Sequence, residues 1–152
     1  MTNNDILRRL RYTFDLDDSR VMGIFALGGL EVTRAQISDW LKKEEDGAFE
    51  PCKDPEFVAF LNGFIIDKRG RKDGPARENE QKLNNNLIFS KLKIALSLQS
   101  EQTLEILKQG GLTLSKHELS AFFRKAGHKH YRECKDQCLR NFLKGLQEHF
   151  RK

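Results

Sequence analysis

Leu27-Gly28-Gly29-Leu30-Glu31-Val32-Thr33-Arg34-Ala35-Gln36-Ile37 recurs 82 residues on as Gln109-Gly110-Gly111-Leu112-Thr113-Leu114-Ser115-Lys116-His117-Glu118-Leu119. Each stretch reads as a helix stop followed at once by a helix start. The glycine pair permits the left-handed backbone that closes a helix C-terminus. Thr33 with Gln36, and Ser115 with Glu118, are capping boxes. Val32 with Ile37, and Leu114 with Leu119, occupy the positions of a hydrophobic staple. A constant offset with no gap makes the chain one small helical unit written twice.

The same offset aligns the flanks. Upstream of the glycine pairs, Asp18–Leu27 and Ser100–Gln109 form a second helix, with Val21, Ile24 and Phe25 matching Thr103, Ile106 and Leu107. Before it, Ile6, Leu7, Leu10 and Phe14 recur as Ile88, Phe89, Leu92 and Leu96, the spacing of one buried helical face. Asn4 and Asn86 are placed to cap this first helix, which is expected to end near Leu16 and Leu98. Downstream, the third helix carries Ile37, Trp40 and Leu41 inward, matching Leu119, Phe122 and Phe123, and is expected to fray near Glu45 and Gly127. A fourth helix follows Cys52-Lys53-Asp54 and Cys134-Lys135-Asp136, with Asp54 or Asp136 as N-cap and Pro55 in the first turn. Gly63 and Gly145 fall inside it, where glycine costs about 1 kcal/mol relative to alanine. Their recurrence predicts that another helix crosses closely there.

The reading is therefore all-α, two pseudo-symmetric repeats of about four helices each, packed together. Residues 1–70 form the first repeat, 71–85 a charged linker with a helical turn after Pro75, and 86–152 the second repeat. The 152 residues are 38% hydrophobic and 32% charged, a composition for a globular protein with a modest core. No apolar run reaches membrane-spanning length, no secretory leader is evident, and three cysteines make no disulfide framework, so a cytoplasmic location is expected.

Asn4-Asp5-Ile6-Leu7-Arg8, Leu27-Gly28-Gly29-Leu30-Glu31, Phe60-Leu61-Asn62-Gly63 with Lys68-Arg69-Gly70, Asn84-Asn85-Asn86 and Phe142-Leu143-Lys144-Gly145 together resemble the YehS-like family of bacterial proteins. The resemblance covers nearly the whole chain. It implies a duplicated domain of unknown function in a bacterial cytoplasm, with no catalytic residues assigned.

The copies differ in charge. Residues 1–70 hold 10 Lys/Arg against 13 Asp/Glu, while residues 86–152 hold 13 against 6 and all four histidines. Such a difference presents different fields to a partner. Lys116, Arg124, Lys125, Lys129, Arg132 and Lys135 cluster between the third helix and the fourth of the second copy, and Lys91 and Lys93 add to its first helix. Phosphate neutralisation by such residues gives affinity for DNA or RNA without sequence specificity. The order helix, short turn, helix also fits a helix-turn-helix, whose outward residues would be Arg34 and Ser38, or Lys116, Ser120 and Arg124. A solvated face, or a surface for a protein partner or for self-association in a groove between repeats, is the competing reading.

Zinc is disfavoured. His128, His130, Cys134 and Cys138 are competent ligands, yet their counterparts are Asp46, Ala48, Cys52 and Glu56, so only the cysteine is shared, as a small buried residue would be. No nucleophile–base arrangement, phosphate loop or dinucleotide fingerprint stands out, and neither enzyme activity, a cofactor nor a small-molecule substrate is expected.

Overall fold

The computed structural model describes residues 1–71 and 80–151. These residues divide between two compact units, residues 1–83 and 84–152. In the first lie α1 (Asn3–Thr13), α2 (Asp18–Leu27), α3 (Arg34–Leu41) and α4 (Asp54–Arg69). In the second lie α5 (Asn85–Ala95), α6 (Ser100–Gln109), α7 (Lys116–Ala121) and α8 (Asp136–Phe150). Among the described residues there is no strand, and no helix is long and apolar enough to cross a membrane. The turn expected after Pro75 lies outside the described residues.

In each unit the second helix packs along the fourth, α2 on α4 and α6 on α8. Glycines make this approach possible. A Cβ on Gly63 would overlap the carbonyl of Ile24, and one on Gly28 the carbonyl of Ala59. Gly145 meets Ile106 and Gly110 meets Asn141 in the same way. The close crossing predicted from the recurring helix-four glycines is thus present twice, and each crossing uses the first glycine of the Gly-Gly pair as its second partner. Around it, Phe25 packs against Trp40 and Phe60 with ring centroids 5.3 and 5.2 Å apart, and Phe89 stacks on Phe142 at 4.1 Å.

The helix ends depart from expectation in instructive ways. Thr2, not Asn4, caps α1, its hydroxyl accepting from Asp5 N–H (3.1 Å) while the Asp5 carboxylate accepts from Thr2 N–H (3.0 Å). Asn84, not Asn86, caps α5 by accepting from Leu87 N–H at 2.8 Å. Both first helices stop at Thr13 and Ala95, short of Leu16 and Leu98, in Schellman turns. Leu16 N–H returns to the Arg11 carbonyl and Leu98 N–H to that of Lys93. The residues that must turn left-handed there are Asp15 (φ 51°) and Ser97 (φ 53°), whereas α2 and α6 use Gly29 and Gly111. A side chain in this region strains the backbone. Ser97→Gly is therefore expected to stabilise the second unit by about 0.5–1 kcal/mol, net of the extra chain entropy of glycine. Urea unfolding followed by circular dichroism checks it.

The third helices are shorter than expected, ending at Leu41 and Ala121 rather than near Glu45 and Gly127. Side chains take their last carbonyls. Arg8 donates to the carbonyls of Leu41 (3.4 Å) and Lys42 (3.0 Å), and Asn4 donates to that of Trp40. The fourth helices are capped by Lys53 and Lys135, so Asp54 and Asp136 stand one residue inside. The Asp54 carboxylate instead accepts from Asn3 (2.8 Å) and from Leu83 N–H (2.9 Å), tying the segment after the first repeat to the first unit.

Candidate nucleic-acid interface

Five of the eight candidate cations, Arg124, Lys125, Lys129, Arg132 and Lys135, lie in the segment between α7 and α8, and its frame is set by one buried asparagine. Asn86 Nδ2 donates to the carbonyls of Phe122 (3.0 Å) and Arg132 (2.8 Å), and its Oδ1 accepts from Cys134 N–H (2.9 Å). One side chain thus clasps both ends of the segment. Asn85 adds donations to the Cys134 carbonyl (3.0 Å) and the Asp136 carboxylate (2.7 Å), and that amide holds the Asp136 pKa below its usual range. The first unit repeats the device. Asn4 clasps Trp40, Glu50 and Cys52 at 2.8, 2.9 and 2.9 Å, and Asn3 holds Cys52 and Asp54.

Inside the two clasps the backbone follows one course. Asp46 N–H returns to Lys43 and Phe49 N–H to Asp46, just as His128 N–H returns to Lys125 and Tyr131 N–H to His128. Even the side-chain bond recurs, the Asp46 carboxylate accepting from Ala48 N–H and His128 Nδ1 from His130 N–H at 3.0 Å. The cations Lys42 and Lys43 recur as Arg124 and Lys125, but the charges beyond them do not. Glu44, Glu45, Asp46 and Glu50 are replaced by Ala126, Gly127, His128 and Arg132, and Gly47 by Lys129. One scaffold carries an acidic loop in the first unit and a basic loop in the second.

The cations expected to contact phosphate have unequal fates. Lys91 is 4% exposed, so it is withdrawn from any surface role. It lies three residues after Ile88 and four before Ala95, on the buried arc of α5. Lys93 is half-buried with Nζ 5.1 Å from the Phe123 ring centroid. Lys116 pairs with Glu101 at 3.2 Å, and Lys135 with Glu133 at 3.0 Å. Arg132 pairs with Glu118 at 3.3 Å and lies over the Phe122 ring. The Ser115 N–H and hydroxyl hold the Glu118 carboxyl below its usual range, with Arg132 adding to the effect. Ser120 donates its hydroxyl proton to the His117 carbonyl. Arg124 is half-buried, its Nε without a hydrogen-bond partner. Lys125 and Lys129 remain exposed with no acidic partner among the described residues, beside His128 and His130.

The helix-turn-helix arrangement is not the one expected. α7 spans six residues and ends before Arg124, which therefore projects from the loop and not from a recognition helix. In the first unit Arg34 is engaged by Ser19 (3.0 Å) and Asp18, and Ser38 accepts from Lys42 (3.1 Å). Among the described residues no three His, Cys, Asp or Glu side chains gather to hold a metal ion. Cys52 is buried, and burial with Glu56 and Asp54 nearby pushes its thiol up to about 12.

Two four-helix units with the same clasp define a tandem helical domain protein, and the comparisons agree. The chain belongs to the family described as "Protein of unknown function (DUF1456)", which matches it twice, over residues 3–70 and 85–152. Among curated proteins it is 43% identical over 155 residues to the uncharacterized protein YehS of Escherichia coli (strain K12), an alignment that covers 100% of this chain and 99% of that protein. No solved structure matches the chain.

Proposed function

We propose that the chain is a cytoplasmic, non-enzymatic binding module that associates with nucleic acid through the clasped basic loop of its second unit. The observation that carries this is the inversion of charge on a conserved backbone frame between the two copies. Lys125 and Lys129 supply cations without an acidic partner among the described residues, Arg124 and Arg132 flank them, and the imidazoles of His128 and His130 add polar rings with centroids 5.6 Å apart. Contacts of this kind go to phosphates, so the binding is expected to be sequence-tolerant and strongly salt-dependent. With a loop this small the Kd for duplex DNA or RNA should be micromolar or weaker.

Fluorescence anisotropy with labelled DNA and RNA oligonucleotides across a salt series tests the reading. Each phosphate contact contributes about one unit to the slope of log affinity against log salt. The double variant Lys125→Glu, Lys129→Glu should lower that slope by about 2 while leaving the circular dichroism spectrum unchanged. No binding at low salt, or an unaltered slope in the variant, would overturn the proposal. Dimerisation at low salt without oligonucleotide binding would assign the loop instead to the acidic segment of a second copy.

A further inference from the structure

A cavity of about 330 Å³ lies in the second unit at the end of the basic loop, lined by Asn84, Asn85, Asn86, Tyr131, Glu133 and Cys134. Asn85, Asn86 and Cys134 belong to the clasp and match Asn3, Asn4 and Cys52 of the first unit. The other three stand where the first unit has Thr2, Phe49 and Pro51. Each of these exchanges adds a polar group that the fold leaves unused. Thr2 uses its hydroxyl to cap α1, whereas Asn84 caps α5 through Oδ1 and keeps Nδ2 without a partner among the described residues. Tyr131 adds to the ring of Phe49 a hydroxyl that also has no partner there. Glu133 accepts from Lys135 through Oε2 at 3.0 Å and leaves Oε1 available.

We propose that this cavity takes one unpaired nucleobase, guanine in preference, from a strand whose phosphates meet the basic loop. The inference rests on the nucleic-acid reading of that loop and names the part of the ligand that is not phosphate. A carboxylate repels phosphate, while amide, phenol and carboxylate together suit a neutral group with both donors and acceptors. The volume is at the lower end of small-ligand sites, about 300–1,000 Å³, which fits a single base. Tyr131 supplies an aromatic ring for stacking, the usual means of holding a base from a single strand. Among the four common bases only guanine presents two adjacent N–H groups, N1 and N2, to a carboxylate. Its O6 then accepts from an amide N–H. Glu133 and Asn84 are those partners. Chain order joins the site to the cations, since Tyr131 lies two residues after Lys129 and Arg132 separates it from Glu133. A base paired in a duplex cannot turn this edge to the protein, so the ligand is single-stranded.

The test is fluorescence anisotropy with single strands of one length, either fully abasic or carrying one central base. The guanine strand should bind at least about fivefold tighter than the abasic one, the worth of one stacked base. Glu133→Gln should remove the advantage of guanine over adenine. Its lost negative charge acts on all strands alike, so the ratio is the readout. Equal affinity for abasic and guanine strands would overturn the pocket and leave the loop reading standing. If no strand binds, the loop reading falls, and free guanosine decides the pocket through the NMR ring signals of Tyr131, one of two tyrosines. A shift on adding guanosine that persists in the Lys125→Glu, Lys129→Glu variant supports the site, and an unmoved signal overturns it.

Discussion

Replacing Gly63 with alanine is expected to destabilise the first unit by about 3 kcal/mol or more. The added methyl would meet the Ile24 carbonyl oxygen and carbon and the Gly28 amide nitrogen, all backbone atoms of α2 and its end. A flexible side chain could turn away, but a helix backbone cannot. α2 and α4 would have to separate, opening the packing among Phe25, Phe60 and Trp40. Trp40, the single tryptophan, is buried there, so its fluorescence reports unfolding of the affected unit. Gly23 provides the control. It sits inside α2 with nothing within 4 Å of its would-be Cβ, and its counterpart in the second copy is Glu105. Gly23→Ala should stabilise by about 0.5–1 kcal/mol, the ordinary helix propensity difference. If Gly63→Ala shifted the urea midpoint no further down than a surface substitution, the close crossing would be wrong.

The second large effect belongs to the asparagine clasp. Asn4 is 2% exposed and satisfies two carbonyls and one N–H that belong to no helix ladder. Truncation to alanine leaves those buried groups without partners, each costing about 1–3 kcal/mol before relaxation, for an expected loss of roughly 3–5 kcal/mol. Asn4→Asp separates geometry from chemistry. The carboxylate has nearly the same shape and still accepts from Cys52 N–H, but it cannot donate to the carbonyls of Trp40 and Glu50. It should therefore be about as damaging as alanine at neutral pH. The Trp40 fluorescence transition in urea measures both. An aspartate variant as stable as the parent would show that the two donated bonds contribute little.

What the sequence revealed and what it concealed divide along the range of the interactions. α2 and α6 have the bounds read from the chain, because their stops depend on adjacent glycines. The capping boxes of α3 and α7 are local in the same way, closing over three residues between Thr33 and Gln36 and between Ser115 and Glu118. Comparing the copies extended this reach once, to the glycines of the crossing. Asn4 and Asn86 were open to misreading because a short polar side chain ahead of an apolar run has the chemistry of a cap. Their partners lie 36 to 48 residues away, beyond any local pattern. The premature end of α3 follows from the same bonds and was concealed with them.

The candidate interface was legible as a charge excess and less so as a surface. Counting cations in the second copy found the loop. It also enrolled Lys91, whose place on the apolar arc of α5 was readable from the spacing of Ile88, Leu92 and Ala95. The ion pairs to Glu101 and Glu118 were not readable, since only the fold brings Lys116 and Arg132 to their partners across 15 and 14 residues.

The clasp has a consequence for how the two halves came to differ. Since Asn86 grips the segment by main-chain atoms, the residues between Phe122 and Arg132 contribute little of the hold on their own course. Duplicated genes ordinarily diverge against the resistance of folding, because most changes unsettle a core. Here the copies share an interchangeable cassette, anchored at its rims and tolerant within. Mutation could rewrite its electrostatic character from anionic to cationic while the helices around it were left undisturbed.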